Sequence, residues 1–279
     1  MTEKDFNVEE YKAKKRAELD KAYEMLKEET EAIVFDKGEL MKYLDTQAKF
    51  NMYSVSNALL IAKQNPEARQ LKTFDDWKSK NVMINKGEKG ISIIEPTEFA
   101  KSDGTKGTGH NVKKLFDVSQ TTGMPRDGYF KNLNDRQLLK ALVSKSPITI
   151  EAVDAIDEEH NAIFDIRNQK VFVKRGLEPD VFFRDVSVEL AHAEFAADNY
   201  GYNRSENEYK ARIASYMLCK RYGIDTNGIE IELPESYQEM KYKDVRSELN
   251  TVRKAMNEIN GRMNEAIEKQ RKEKTEQER

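Results

Sequence analysis

Residues 187–192 read Ser-Val-Glu-Leu-Ala-His and constrain this 279-residue chain more than any other segment. On a helix, the motif His-Glu-x-x-His places two histidines on one face, where both can bind one zinc ion. The glutamate beside the first histidine then serves as general base for the bound water. Here Glu189 and His192 stand in register, but Val188 takes the first histidine's position and has no lone pair to donate. The chain contains only three histidines, so we expect no zinc hydrolysis.

Composition predicts a cytoplasmic protein with enough chain for one large or two modest domains. Charged residues make up 35% and apolar residues 38%. No apolar run approaches the roughly 18–20 residues that a membrane span requires, and the N-terminus lacks the apolar core of a signal peptide. Because Cys219 is the single cysteine, an internal disulfide is excluded. It lies in an apolar stretch, which predicts a buried thiol. Since the sequence has neither a membrane-spanning run nor the apolar core of a signal peptide, we expect no membrane association.

The net charge of −3 hides an asymmetry between the two halves of the chain. Residues 34–130 carry 15 Lys and Arg against 12 Asp and Glu, whereas residues 151–240 carry 10 against 19. Only the first half therefore suits an anionic partner, and its small excess of positive charge must act through placement.

Apolar spacing and turn residues predict an α+β protein. Predicted helices cover residues 8–33, 38–64, 73–80, 134–145, 179–199 and 205–222, with Thr73 and Asn134 as N-caps. Predicted hairpins pair residues 82–84 with 91–94 and 162–166 with 170–173, and a further strand covers 115–118. Glycine and polar residues predict a flexible loop over 101–111.

The tail, residues 236–279, alternates charges with apolar residues at near-heptad spacing. These are Val245, Leu249, Val252, Met256, Ile259, Met263 and Ile267. The spacing predicts a helix that packs on another helix, either residues 8–33 or the tail of a second chain. A single solvated helix is the alternative. Beyond Ile267 nothing apolar remains, so we expect the last ten or so residues to fray.

The first half also contains the residue types that bind single-stranded DNA, which are aromatic rings for the bases and cations for the phosphates. The candidate residues are Tyr53, Ser54, Asn57, Trp77, Lys78, Lys86, Lys89 and Gln120. Tyr53, Ser54 and Asn57 would share one helical face, where serine and asparagine are poor helix formers. Trp77 alone would more often be a core residue, and Gln120 is equally consistent with a polar residue at a strand end.

Three segments of the first half together resemble the N-terminal single-stranded-DNA-binding domain of the ArdC anti-restriction family. They are Tyr53-Ser54-Val55-Ser56-Asn57-Ala58-Leu59-Leu60, Phe74-Asp75-Asp76-Trp77 through Lys86-Gly87-Glu88-Lys89-Gly90-Ile91, and Phe116-Asp117-Val118-Ser119-Gln120-Thr121. The resemblance covers residues 35–225 and implies that a metallopeptidase-like (zincin-like) domain follows the DNA-binding one. The flanking segments are similar to LtrC-like proteins of mobile elements.

The resemblance also implies a third metal ligand, an acid on the helix after the motif. Arg212 stands at that position, and a guanidinium cannot bind a cation. Glu208, one turn earlier, offers a carboxylate, but two ligands seldom hold a catalytic zinc. We expect a vestigial site in which Arg212 pairs with Glu189 or Glu208, with no catalytic residue and no cofactor.

Four segments are therefore expected: a helical arm (1–33), a single-stranded-DNA-binding domain (34–150), a degenerate metallopeptidase-like domain (151–235) and a helical tail (236–279). The leading hypothesis is a non-catalytic accessory protein of a mobile element, monomeric or weakly dimeric, whose partner is single-stranded DNA and whose tail could bind a protein. The alternatives are a metal-dependent peptidase and a helical scaffold that recruits a protein.

Overall fold

The computed structural model describes residues 7–100, 104–124, 133–197, 199 and 201–277. It is an α+β protein, as predicted, and it divides into two compact units. Unit 1 comprises residues 1–46 and 52–126, and unit 2 comprises residues 47–51 and 127–279. No helix among the described residues is long and apolar enough to cross a membrane.

Unit 1 is a three-stranded antiparallel sheet covered by helices. Its helices are α1 (Val8–Phe35), the first part of α2 (Lys37–Lys49), α3 (Val55–Gln64) and the short α4 (Phe74–Lys78). Its strands are β1 (Leu71–Lys72), β2 (Ile91–Ala100) and β3 (Lys106–Asp117), in the order β1-β3-β2. Helices α1 and α3 pack against each other and against β2. Thr73 caps α4 in a capping box with Asp76, which confirms the predicted cap.

Two predictions for unit 1 are wrong. The single helix expected over 38–64 is interrupted at residues 50–54, because Ser54 adopts an extended conformation and caps a new helix. The hairpin expected between 82–84 and 91–94 does not form, since Ile84 makes only an isolated bridge to Thr121. Strand β2 pairs instead with β3 along its whole length. Residues 106–111 of the expected loop belong to β3, which begins at Lys106, and residues 101–103 lie outside the described residues.

Unit 2 contains a mixed three-stranded sheet and four helices. The helices are α5 (Asp135–Val143), α6 (Pro179–Ala196), α7 (Arg204–Tyr222) and α8 (Tyr242–Gln277). The strands are β4 (Thr149–Val153), β5 (Ala162–Asp165) and β6 (Lys170–Lys174). The predicted hairpin is confirmed as β5 and β6, and Asn134 caps α5 as predicted. Strand β4 pairs in parallel with β6 and was not predicted. Helix α6 packs on α7 and on β5.

The apolar seam of the tail is confirmed, but its predicted partner is wrong. All seven seam residues are at most 1% exposed, and α8 packs against α5, α6 and α7 of the same unit. The seam is therefore used within the chain and not against residues 8–33. Asn260, also buried on α8, accepts hydrogen bonds from Arg221 and Tyr222. The helix continues to Gln277, so the expected fraying after Ile267 is not observed.

The two units do not coincide with the four expected segments. Helix α1 packs on α3, β2 and β3 and so belongs to unit 1 instead of forming a separate arm. Helix α5 and strand β4 lie in unit 2, which moves the division to residues 126–127. The short segment 47–51 also belongs to unit 2, where Arg221 donates to the Ala48 carbonyl and Arg253 to the Asn51 carbonyl.

Candidate functional site

The tryptophan expected to stack on DNA bases lies in the core of unit 1. Trp77 is 3% exposed, and its indole N–H donates to the Phe116 carbonyl at 2.9 Å. An indole held in this way presents no open face to a base. The alternative interpretation, that Trp77 is a core residue, is therefore the correct one. Phe74, three residues earlier on α4, is 55% exposed. Phe74 begins the same motif but was not among the residues predicted to bind DNA.

Ser54 and Asn57 have structural roles that correct their expected place on a DNA-binding face. The Ser54 hydroxyl accepts a hydrogen bond from the Asn57 N–H and so caps α3. The Asn57 side chain is buried against β2, where its amide donates to the Ile94 carbonyl and accepts from the Ile94 N–H, both at 2.9 Å. Gln64 makes the same pair of bonds with Ser92. These two side chains cover the open edge of β2.

Gln120 holds the turn that carries the predicted lysines. Its backbone carbonyl accepts from the Asn85 N–H at 2.9 Å, and its side-chain amide donates to the Lys89 carbonyl at 3.0 Å and to the Glu88 carboxylate at 2.9 Å. The turn also needs Gly87, whose φ of +92° is disfavoured for residues with a Cβ. Gln120 therefore fixes the shape of residues 85–90, and its side chain is fully occupied in doing so.

Asp117 explains the rest of the third signature segment. It is fully buried and accepts hydrogen bonds from the backbone N–H groups of Arg69, Gln70 and Ser119. Burial alone would raise the pKa of this carboxyl group, but the hydrogen bonds from Ser119, Gln70 and Arg69 outweigh burial and lower the pKa. The segment thus connects β3 through hydrogen bonds to the residues before β1 and to the turn of residues 85–90.

The lysines predicted to track phosphates lie on the surface of unit 1. Lys78, Lys86 and Lys89 are exposed, and none makes an ion pair with a residue that the structure describes. Lys89 borders a cleft of about 440 Å³, which is lined by Gln64, Asn65, Glu88, Lys89, Gly90, Ile91, Ser119 and Gln120. The second and third signature segments, distant in sequence, therefore meet around one cleft, together with the end of α3.

Tyr53 lies away from that cleft. It precedes α3, whereas Asn65 follows α3 and lines the cleft. Ten helical residues separate them, a distance of about 15 Å. Burial raises the pKa of the half-buried Tyr53, and the ion pair of Lys113 with Glu95 lies close to it. The predicted residues thus do not form one cluster.

In unit 2, an arginine that the sequence analysis missed fills the position beside Glu189. The Arg204 guanidinium donates two hydrogen bonds to the Glu189 carboxylate, both at 2.7 Å. Glu189 is 4% exposed in its side chain and also accepts from the Phe164 N–H at 2.7 Å. Arg212 pairs with Glu208 at 2.8 Å, as one of the two predicted pairings had it. The other prediction, a pair between Arg212 and Glu189, is wrong because Arg204 occupies Glu189.

His192 is fully buried between two partners. Its Nε2 lies 3.0 Å from the Glu208 carboxylate and its Nδ1 lies 2.7 Å from the Tyr202 hydroxyl. The hydrogen bond from His192 is the main cause that lowers the pKa of Glu208 to about 2, with Arg212 adding to it, whereas burial raises the pKa of Tyr202 to about 12. An ionised carboxylate only accepts, so Nε2 carries the proton of this hydrogen bond.

This arrangement does not fit a divalent cation. Val188 offers no donor atom, the Nε2 of His192 is protonated, and both carboxylates are bound to guanidinium groups. No group of three or more His, Cys, Asp or Glu side chains is placed to hold a metal ion in the described part of the chain. What remains is a polar cleft of about 420 Å³, bordered by Val188, Glu189, Arg204, Glu208 and Arg212.

Comparison with known proteins agrees with the fold and with unit 1. The family model for the N-terminal domain of anti-restriction factor ArdC matches residues 11–126. The metal-free crystal structure of antirestriction protein ArdC from plasmid R388 aligns with a TM-score of 0.51 at 15% identity, over 78% of this chain and 86% of that chain. Its Mn(II)-bound structure aligns with a TM-score of 0.50 at 12% identity, over 79% of this chain and 98% of that chain.

A sequence relative extends the comparison. The uncharacterized protein pXO2-81 of Bacillus anthracis is 26% identical over 335 aligned positions, which cover 91% of this chain. The chain spans about half of that relative, 56% of its length. The chain is an α+β protein whose fold is similar to that of ArdC. Residues 11–126 match the ArdC N-terminal domain, and the chain is similar in fold to ArdC, as the sequence resemblance predicted.

Proposed function

We propose that this ArdC-like chain binds single-stranded DNA through unit 1 and serves as a non-catalytic accessory protein that protects or chaperones the transferred strand of a mobile element. The match of residues 11–126 to the ArdC N-terminal domain carries the proposal. Within that region, the turn held by Gln120 carries Lys86 and Lys89, and Lys89 borders a cleft.

The chemistry of the turn supports a nucleic-acid partner. Phosphates are bound by cations that have no other partner, and base faces by exposed aromatic rings. Lys86 and Lys89 are exposed and lack ion pairs among the described residues, and Phe74 offers the exposed ring that Trp77 does not. We therefore assign the phosphate contacts to these lysines and the stacking contact to Phe74.

We also propose that unit 2 lacks peptidase activity. The support is the set of groups around Glu189, where Val188 offers no donor atom, Arg204 binds Glu189 and Arg212 binds Glu208. The Mn(II) ion in the R388 structure belongs to that protein. Metal analysis of the purified chain discriminates the two functions, because one tightly bound metal ion per chain would favour a peptidase.

The test of DNA binding is fluorescence anisotropy with a labelled oligonucleotide of about 20 nucleotides over a range of salt concentrations. The variant is Lys86→Glu/Lys89→Glu. We expect weaker binding and a slope of log affinity against log salt that is smaller by about 1.4, because each single-strand phosphate contact contributes about 0.7. Double-stranded DNA and RNA of the same sequence are measured in parallel.

The matched control is Lys243→Glu/Lys254→Glu. Both lysines are exposed on α8, in unit 2, and make no ion pair with any described residue, so the change in net charge is identical. This control should retain wild-type affinity. Equal losses in the two double variants would mean that only bulk charge matters, and no measurable affinity of the wild-type chain at low salt would end the proposal.

A further inference from the structure

The cleft beside Lys89 contains an acid in a surface that otherwise suits a polyanion. Glu88 stands between Lys86 and Lys89 in the same turn, is exposed, and makes no ion pair with any residue that the structure describes. A carboxylate repels phosphates, so a different group of the ligand must face it. We infer that the cleft binds one nucleobase of the single strand, and that Glu88 and Asn65 select a base with an exocyclic amino group. Because the ligand is the strand assigned to unit 1 above, the inference rests on the proposed function.

Glu88 is held in a defined position at the cleft. The Gln120 amide donates to one carboxylate oxygen of Glu88 at 2.9 Å and to the Lys89 carbonyl at 3.0 Å. The other carboxylate oxygen makes no hydrogen bond with a described residue, and the side chain lines the cleft. An ionised carboxylate only accepts hydrogen bonds, and in DNA recognition Glu and Asp accept from the N4 amino group of cytosine. The free oxygen of Glu88 is therefore suited to a base amine.

Asn65 supplies a second group for recognition. It follows α3 and lines the same cleft, and its side-chain amide makes no hydrogen bond with any described residue. The amide of its neighbour Gln64, by contrast, is bonded to the backbone of Ser92. Pro66 keeps the Asn65 backbone out of the helical region, which fixes where this amide leaves the helix. An amide both donates and accepts, so Asn65 can bind the ring nitrogen that lies beside an amino group.

The remaining groups of the cleft match the two ends of a nucleotide. Lys89 provides a cation for the phosphate. Ser119 donates its hydroxyl proton to Asp117 at 2.7 Å, so towards the cleft it can only accept. The volume of about 440 Å³ lies within the range of pockets that hold small ligands. Acceptors therefore predominate around the base. Cytosine and adenine present an amino donor to such groups, whereas thymine presents a carbonyl oxygen.

The experiment measures the affinity of the full chain for two matched strands, oligo(dC) and oligo(dU), by fluorescence anisotropy at neutral pH. The two bases differ only in the amino or carbonyl group at C4 and in the ring nitrogen beside it. We expect the wild type to bind oligo(dC) at least about five-fold more tightly, since well-placed hydrogen bonds to a base edge discriminate by this factor or more.

Glu88→Gln tests the acid itself. It should bind oligo(dC) more weakly than the wild type, because the acceptor for the amino group is weaker. It should also bind oligo(dU) more tightly, because a negative charge is lost and an amide can donate to the carbonyl at C4. Asn65→Ala should reduce the preference for oligo(dC) without a change in net charge.

The matched control is Glu10→Gln, which removes the same charge from an exposed residue of α1 in unit 1 that makes no ion pair with a described residue. It should keep the wild-type preference. A Glu88→Gln chain that gains affinity for both strands alike would overturn the inference, because Glu88 would then act only as a charge. A wild type that binds both strands equally would overturn it as well and leave DNA binding by unit 1 intact, whereas a wild type that binds neither strand would refute both.

Discussion

Two aromatic side chains of the short helix α4 have opposite environments, and they separate binding from stability. Phe74 is exposed and Trp77 is buried with its N–H bonded to Phe116. Phe74→Ala should weaken binding to single-stranded DNA by about 5-fold or more, since a base stacked on an aromatic ring contributes about 1–3 kcal/mol. It should leave the free energy of unfolding nearly unchanged. Anisotropy and urea titrations on the same sample measure both quantities.

Trp77 should behave in the opposite way. Trp77→Ala removes a large core side chain and should lower the free energy of unfolding by about 3–5 kcal/mol. The milder Trp77→Phe keeps most of the volume, loses the hydrogen bond to Phe116, and should keep wild-type DNA affinity in its folded state. A Trp77→Phe chain that is stable but no longer binds DNA would return Trp77 to the binding surface.

At the scale of elements, the open edge of β2 depends on two amide side chains. Asn57 supplies an N–H and a carbonyl to Ile94 in the way that a neighbouring strand would. Asn57→Ala leaves both groups of Ile94 without these bonds, and we expect a loss of about 1–3 kcal/mol in the free energy of unfolding. Chemical denaturation of the full chain measures the loss.

The control for this edge is Ser56→Ala, at the preceding position of α3. Alanine is a better helix former than serine, so this variant should be as stable as the wild type or slightly more stable. Asn57→Asp is informative as well, because a carboxylate accepts from the Ile94 N–H but repels the Ile94 carbonyl. A stable Asn57→Ala chain would show that β2 does not need its edge covered.

The elements also show what the sequence could and could not predict. Periodicity predicts α1 and the seam of α8, because each buries one stripe of residues, whereas α6 and α7 bury consecutive residues on more than one face. It fails at residues 50–54, where an N-cap restarts the helix, and at residues 82–94, where glycine in a turn suggests a hairpin whose strand finds a more distant partner. Sequence separation hides such pairings, since nothing local distinguishes them.

The candidate site in unit 2 could also be predicted only in part. The missing histidine at Val188 can be predicted from the spacing of the motif, and the arginine at the third ligand position is what the family resemblance implies. Arg204 could not be found in this way, because it lies outside the motif and reaches Glu189 only through the packing of α7 on α6. One local signal was present: an arginine at a helix start requires a nearby anion.

At the scale of the whole molecule, the charge asymmetry of the sequence coincides with the two units. The mildly basic half contributes the exposed lysines of unit 1, and the acidic half contributes the carboxylates of unit 2, several of which are bound to arginines. The units thus use charge differently. In unit 1, we propose that charge meets a partner at the surface, whereas in unit 2 it links elements of the fold.

The tail then belongs to the stability of unit 2 and not to the proposed DNA surface. Met263 lies in the α8 seam and is fully buried, so Met263→Asp places a carboxylate among apolar side chains of that unit. We expect a loss of several kcal/mol, seen as a lower melting temperature and as binding of a hydrophobic dye. At a temperature where the variant remains folded, its affinity for single-stranded DNA should stay within about two-fold of wild type, because the assigned lysines and Phe74 lie in unit 1.

Thr251→Asp, on the exposed side of α8, is the control and should change neither quantity. If Met263→Asp abolished DNA binding while the melting temperature stayed at the wild-type value, α8 would belong to the DNA site, and the division of roles between the two units would be wrong.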